Sequence, residues 1–96
     1  MQKQSRVLVV GRNTEDMDTV TSTLEGSGYS VTGTLHDDIA VDLASSSEFD
    51  AILMADMTQK ERTELRGEVL KKQPKIKVVQ AEGPESVLTL LKQALR

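Results

Sequence analysis

The chain has 96 residues, room for one domain (1–96) and a thin hydrophobic core. It contains no Cys and a single His, His36. That excludes thiolate chemistry, a disulfide framework, cysteine-based zinc sites and any site needing two imidazoles. Twelve Lys and Arg against fifteen Asp and Glu give a net charge of -3, so the basic surface that nucleic-acid binding needs is missing.

No apolar run approaches the roughly 20 residues of a membrane span. No signal-type apolar stretch follows the segment from Met1 to Arg6, so the expected address is the cytoplasm, with no membrane partner. The length admits three or four βα units at roughly 25–30 residues each. A full dinucleotide-binding fold does not fit.

The first element is Arg6-Val7-Leu8-Val9-Val10 before Gly11, short, β-branched and continuously apolar, as in a central parallel strand covered on both faces. Asn13 or Thr14 then caps a helix with Glu15 and Asp16 in its first turn and Met17, Val20 and Leu24 at helical spacing. Gly26-Ser27-Gly28 stops it. From Tyr29 to Leu35 the sequence alternates, with Tyr29, Val31 and Leu35 on one side and Ser30, Thr32 and Thr34 on the other, a half-exposed strand suited to a sheet edge. Asp37 or Asp38 opens a short helix carrying Ile39, Ala40, Leu43 and Ala44, which ends at Ser45-Ser46-Ser47.

A second fully apolar strand runs from Ala51 to Ala55. Thr58 and Glu61 form a capping-box pattern, opening a helix through Leu65, Val69 and Leu70 to Gln73, with Pro74 at its exit. The fourth strand spans Ile76 to Ala81, decorated by Lys75 and Lys77, as befits an edge that must avoid stray pairing. Gly83-Pro84-Glu85 starts the last helix. Val87, Leu88, Leu91, Ala94 and Leu95 form its apolar stripe, with Leu90 off it. Two apolar strands flanked by two more polar ones predict a three-layer (βα)4 domain with a four-stranded parallel sheet in the order 2-1-3-4, the flavodoxin-like order lacking its last strand.

Three stretches resemble the CheY-like receiver domain of bacterial response regulators: RVLVVGRN (Arg6 to Asn13), LEGSGYSVTG (Leu24 to Gly33) and FDAILMA (Phe49 to Ala55). The resemblance covers nearly the whole chain and implies a receiver fold, one βα unit short. It also implies a pocket at the carboxyl edge of the sheet: two acidic residues that hold Mg²⁺, an aspartate that accepts a phosphoryl group, a Thr or Ser that senses it and a Lys that neutralises it. Here the acidic pair falls on Gly11 and Arg12, the phosphoacceptor position on Ala55, and the hydroxyl position on Glu82 or its neighbour Gln80. No Lys follows the fourth strand until Lys92. The resemblance thus supports a fold and argues against the family's reaction. Asp56 lies one residue beyond Ala55 and replaces the lost aspartate only if a bulge or early turn reorients it.

The degenerate pocket therefore comprises Gly11, Arg12, Ala55, Asp56 and Glu82, with a salt bridge expected from Arg12 to Asp56 or Glu82. No catalytic residue, metal or cofactor is expected, and His36 reads as a surface or cap residue. Two other readings stay open: a phosphoaccepting switch on Asp56, and a nucleotide or anion sensor at Gly11 to Thr14, where backbone N–H groups, a helix start and an Arg meet. Small sugar-phosphotransferase IIB domains share the length and four strands. Their phosphoryl-accepting Cys or His would follow the first strand, where Gly11, Arg12 and Asn13 stand.

An uncovered edge strand and a last helix with apolar residues on more than one face favour self-association or a docked partner. The expected interface comprises Lys75, Lys77, Leu90, Leu91 and Leu95. The expected function is a non-enzymatic signalling or regulatory interaction module, working as a homodimer or with another signalling protein and not switched by aspartyl phosphorylation.

Overall fold

The computed structural model describes residues 4–81 and 86–95. Four strands and four helices alternate: β1 (Arg6–Val10), α1 (Thr14–Gly26), β2 (Ser30–Thr34), α2 (Asp37–Ser46), β3 (Ala51–Ala55), α3 (Gln59–Lys72), β4 (Lys77–Ala81) and α4 (Val87–Ala94). The strands form one parallel sheet in the order β2-β1-β3-β4. The predicted order is the observed one. The continuous apolar strands β1 and β3 lie in the middle, where helices cover both faces.

After β2 the chain reverses its direction across the sheet. Right-handed crossovers then place α1 on one face and α2 and α3 on the other. Val7, Val9, Ala51 and Leu53 pack with Val20 and Leu24 of α1 and Val87 and Leu91 of α4. Leu8, Val10, Ile52 and Met54 pack with Ala40 and Ala44 of α2 and Leu65 and Val69 of α3. The strand alternation thus assigns each residue to one of two half-cores.

The helix ends follow their local chemistry. The Asn13 side chain accepts from Asp16 N–H at 3.1 Å. After α1, Gly28 adopts a φ of 93° and Tyr29 N–H returns to the Leu24 carbonyl at 3.1 Å. Thr58 and Glu61 complete a full capping box. Two local expectations shift. His36, not Asp37 or Asp38, is the N-cap of α2, with both aspartates in its first turn. Ile39, expected on the apolar face of that helix, is 42% exposed, while Ala40 and Ala44 carry the buried contact. The expected start of the last helix, Gly83 to Glu85, lies outside the described residues.

Candidate functional site

The carboxyl edge of the sheet is where open parallel α/β folds gather ligands, and here Arg12 dominates it. Leu8 and Val10 belong to the half-core under α2 and α3, and Arg12 continues their alternation past the buried Gly11. Its guanidinium therefore reaches the starts of those two helices. Nη1 lies 2.9 Å from Asp37 Oδ1, and Nη2 donates to Asp37 Oδ2 at 3.0 Å. Nε and Nη2 donate to Glu61 Oε2 at 3.2 and 3.1 Å, and Nη1 donates to the Gly11 carbonyl at 3.2 Å. All three nitrogens are engaged. Among the described residues the partners are Asp37 and Glu61 and not the expected Asp56, because the side chain leaves the sheet on the α2/α3 side; the other expected partner, Glu82, lies outside the described residues.

Glu61 serves two contacts at once. Its Oε1 accepts from Thr58 N–H at 2.9 Å as part of the capping box, while Oε2 takes Arg12. The bond from the Thr58 backbone, then the one from Arg12, holds this carboxyl below its ordinary range. The Arg12 guanidinium is held in its charged form by the hydrogen bond to Asp37, reinforced by the charges of Asp37 and Glu61 against partial desolvation.

Ala55 ends β3 and is buried, 6% exposed, and carries no nucleophile. Asp56 continues the alternation of Ile52 and Met54 and would face the same side as Arg12. Instead it takes a φ of 58°, a left-handed conformation unusual for a residue other than Gly and tolerated by Asp. This early turn brings its carboxyl to Asp16 in the first turn of α1. Partial desolvation, then the hydrogen bond and charge of Asp16, hold the Asp56 carboxyl above its ordinary range. The edge thus carries an ion-pair bridge centred on Arg12 on the α2/α3 side and a carboxyl pair at the α1 side. The space beside Gly11 belongs to Met17, whose Cε would lie 3.2 Å from a Cβ added there.

Two of the donors proposed for an anion at Gly11 to Thr14 are committed elsewhere. Gly11 N–H bonds the Thr34 carbonyl at 3.2 Å, and the Arg12 guanidinium is ion-paired. His36 is exposed, and its N–H donates to Thr34 Oγ1 at 3.1 Å.

The residues expected at an interface part company. Leu91 is fully buried in the α1-side half-core, so it is not offered to a partner. Its place on the helix stripe turns it into the sheet. Leu90 and Leu95 are half-buried against the same half-core, and Lys75 and Lys77 are exposed. Among the described residues, no large apolar side chain of α4 is exposed. Lys75, Lys77 and Leu95 nevertheless converge. They line one cavity of about 580 Å³ at the amino edge, with Phe49 and Ile76 among its other walls.

Gln73, read from sequence only as a helix end, organises this edge. Its Nε2 donates to the carbonyls of Ala44 and Ser47, and its Oε1 accepts from Phe49 N–H at 2.9 Å. One side chain ties the end of α3 to the end of α2 and the approach to β3. Arg6 lies over the Phe49 ring, 5.0 Å from its centroid, and its N–H donates to Asp50 Oδ2 at 2.8 Å.

No family model matches the sequence, and no curated protein matches it. Solved structures do. The response regulator receiver domain protein (CheY-like) from Methanospirillum hungatei JF-1 superposes with a TM-score of 0.82 at 19% identity, over 97% of this chain and 94% of that one. The chemotaxis response regulator CheY4 of Vibrio cholerae gives 0.68 at 20% identity, over 97% of this chain and 100% of that one. The lactose-specific IIB component domain of the phosphoenolpyruvate:carbohydrate phosphotransferase system from Streptococcus pneumoniae gives 0.57 at 15% identity, over 98% and 100%. The chain has the fold of CheY-like receiver domains, in a four-stranded form.

Proposed function

We propose that the chain is a non-enzymatic signalling or regulatory interaction module, built on a receiver fold and working without phosphoryl transfer to an aspartate. Arg12 carries this reading. A guanidinium stands where the resemblance puts a Mg²⁺ ligand, and it offers no oxygen to a divalent cation that needs hard oxygen donors. Its ion pairs to Asp37 and Glu61 also tie the first turns of α2 and α3 together. A chain held in this way presents a fixed surface. The surface that fits a partner, another copy or another signalling protein, is the amino-edge cavity with Lys75, Lys77 and Leu95. The reading sets the module in the cytoplasm, which a cysteine-free chain suits.

The test is incubation of the purified chain with acetyl phosphate and Mg²⁺, followed by intact mass and peptide mapping. No acyl phosphate is expected. A phosphorylated Asp56 overturns the reading.

One observation favours that second outcome. The left-handed turn at Asp56 is the reorientation that a displaced phosphoacceptor requires, and it sets Asp56 beside a second carboxyl, Asp16. In that case an Asp56 carboxylate oxygen attacks phosphorus and acetate leaves. Asp56→Asn and Asp16→Asn would then both abolish labelling.

A further inference from the structure

The amino-edge cavity has an apolar floor and a cationic rim. Phe49 and Ile76 are 6% and 5% exposed, Leu95 adds a third apolar wall, and Lys72, Lys75 and Lys77 surround them. None of these three lysines has an ion-pair partner among the described residues; the ion pairs found there are those of Arg12 and of Lys71 with Glu68. Glu48 and Asp50, the latter accepting from Arg6 N–H, are the acidic residues in the walls, and against the three lysines they leave the rim net positive.

The chain carries the complement of this cavity elsewhere. Ile39 is the exposed large apolar residue among those described, at 42%. It sits in the first turns of α2 between Asp38 and Asp42, both exposed. On a helix, residues three apart are neighbours, so Asp42 shares the face of Ile39, and Asp38, four residues before Asp42, stands beside that aspartate. The patch is therefore an aliphatic knob with an acidic border along one side. It stands where α2 leaves the carboxyl edge, whereas the cavity opens at the amino edge beside the starts of β3 and β4. A single copy cannot fill its own cavity.

We propose that the cavity receives the Ile39 turn of a second copy, with Asp38 and Asp42 meeting Lys72, Lys75 and Lys77. The contact joins two different patches, so each copy offers one knob and one socket. Size agrees: about 580 Å³ exceeds the volume of a single aliphatic side chain. Buried apolar anchors inside a charged rim are the usual anatomy of such contacts. The inference rests on the reading of the chain as an interaction module and names its partner.

Sedimentation of the full chain across concentration tests it, using two variants at exposed positions. Ile39→Lys removes the knob. The double variant Lys75→Glu/Lys77→Glu inverts the rim. Wild type should associate reversibly and more weakly at high salt. Each variant alone should associate at least about tenfold more weakly. Mixed in equal amounts, they should recover a 1:1 complex, because one keeps the socket and the other the knob. Wild type that stays monomeric to about 1 mM overturns the proposal and leaves the cavity to a different protein or a small anion. Variants that associate like wild type, or a mixture that stays monomeric, also overturn it. These outcomes leave the phosphorylation-independent reading standing, since labelling of Asp56 alone decides that.

Discussion

The guanidinium of Arg12 grips the carboxylate of Asp37 through both Nη atoms, at 2.9 and 3.0 Å, across 25 residues of sequence. With Glu61 on its other edge, this contact joins the exit of β1 to the first turns of α2 and α3. Both carboxylates sit near helix N-termini, where negative charge is already favourable. The arginine therefore completes a local balance that each helix start begins.

Arg12→Ala should destabilise the chain by about 1 kcal/mol, because all three groups keep contact with water and exposed pairs contribute little. The loss should shrink in 1 M salt. Arg12→Lys should recover less than half of it, since an ammonium cannot fork between two carboxylates. Urea denaturation at low and high salt measures both. A loss independent of salt would place the effect in packing instead.

Asp56 gives the opposite pH behaviour from an ordinary ion-paired carboxylate. Its pKa is raised by partial desolvation and by Asp16, so the folded state holds its proton more tightly than the unfolded state. Stability from this group is greatest below its unfolded pKa and falls as pH rises through the folded one. Asp56→Asn removes the penalised charge while tolerating the left-handed backbone. The variant should be more stable than wild type at pH 7, with the difference fading by about pH 3. Thermal unfolding at both pH values checks this, and an equal difference at the two sinks it.

Gln73→Ala leaves the carbonyls of Ala44 and Ser47 and the N–H of Phe49 without their partner. The expected loss is about 2 kcal/mol. Gln73→Glu keeps the acceptor for Phe49 but points a carboxylate at two carbonyls, so at neutral pH it should be no more stable than the alanine variant. Chemical denaturation of the two variants against wild type gives the ranking.

Leu91 and Leu90 are neighbours with different burial. Leu91 is fully buried, and Leu91→Ala should cost about 2–5 kcal/mol. Leu90 is half-buried, and Leu90→Ala should cost about 1 kcal/mol or less. Comparable losses in the two unfolding midpoints would contradict the orientation of α4.

The amino-acid order alone determined most features whose cause is local, the N-cap of α2 at His36 excepted. Asn13 or Thr14, of which the structure chose Asn13, and the Thr58–Glu61 pair marked helix starts because a cap needs only three or four residues. The polarity of the strands placed β1 and β3 inside, since a strand covered on both faces has no polar side to spare. The three-dimensional structure decided what depends on direction and distance. The side on which Arg12 leaves the sheet selected Asp37 and Glu61, and the left-handed turn at Asp56 sent that carboxyl to Asp16 instead. Ile39 and Leu91 exchanged their expected roles, because spacing names the apolar residues of a helix but the neighbouring elements fix which of them is covered. The convergence of Lys75, Lys77 and Leu95 on one cavity likewise joins the end of α4 to the start of β4, a meeting that no local pattern encodes.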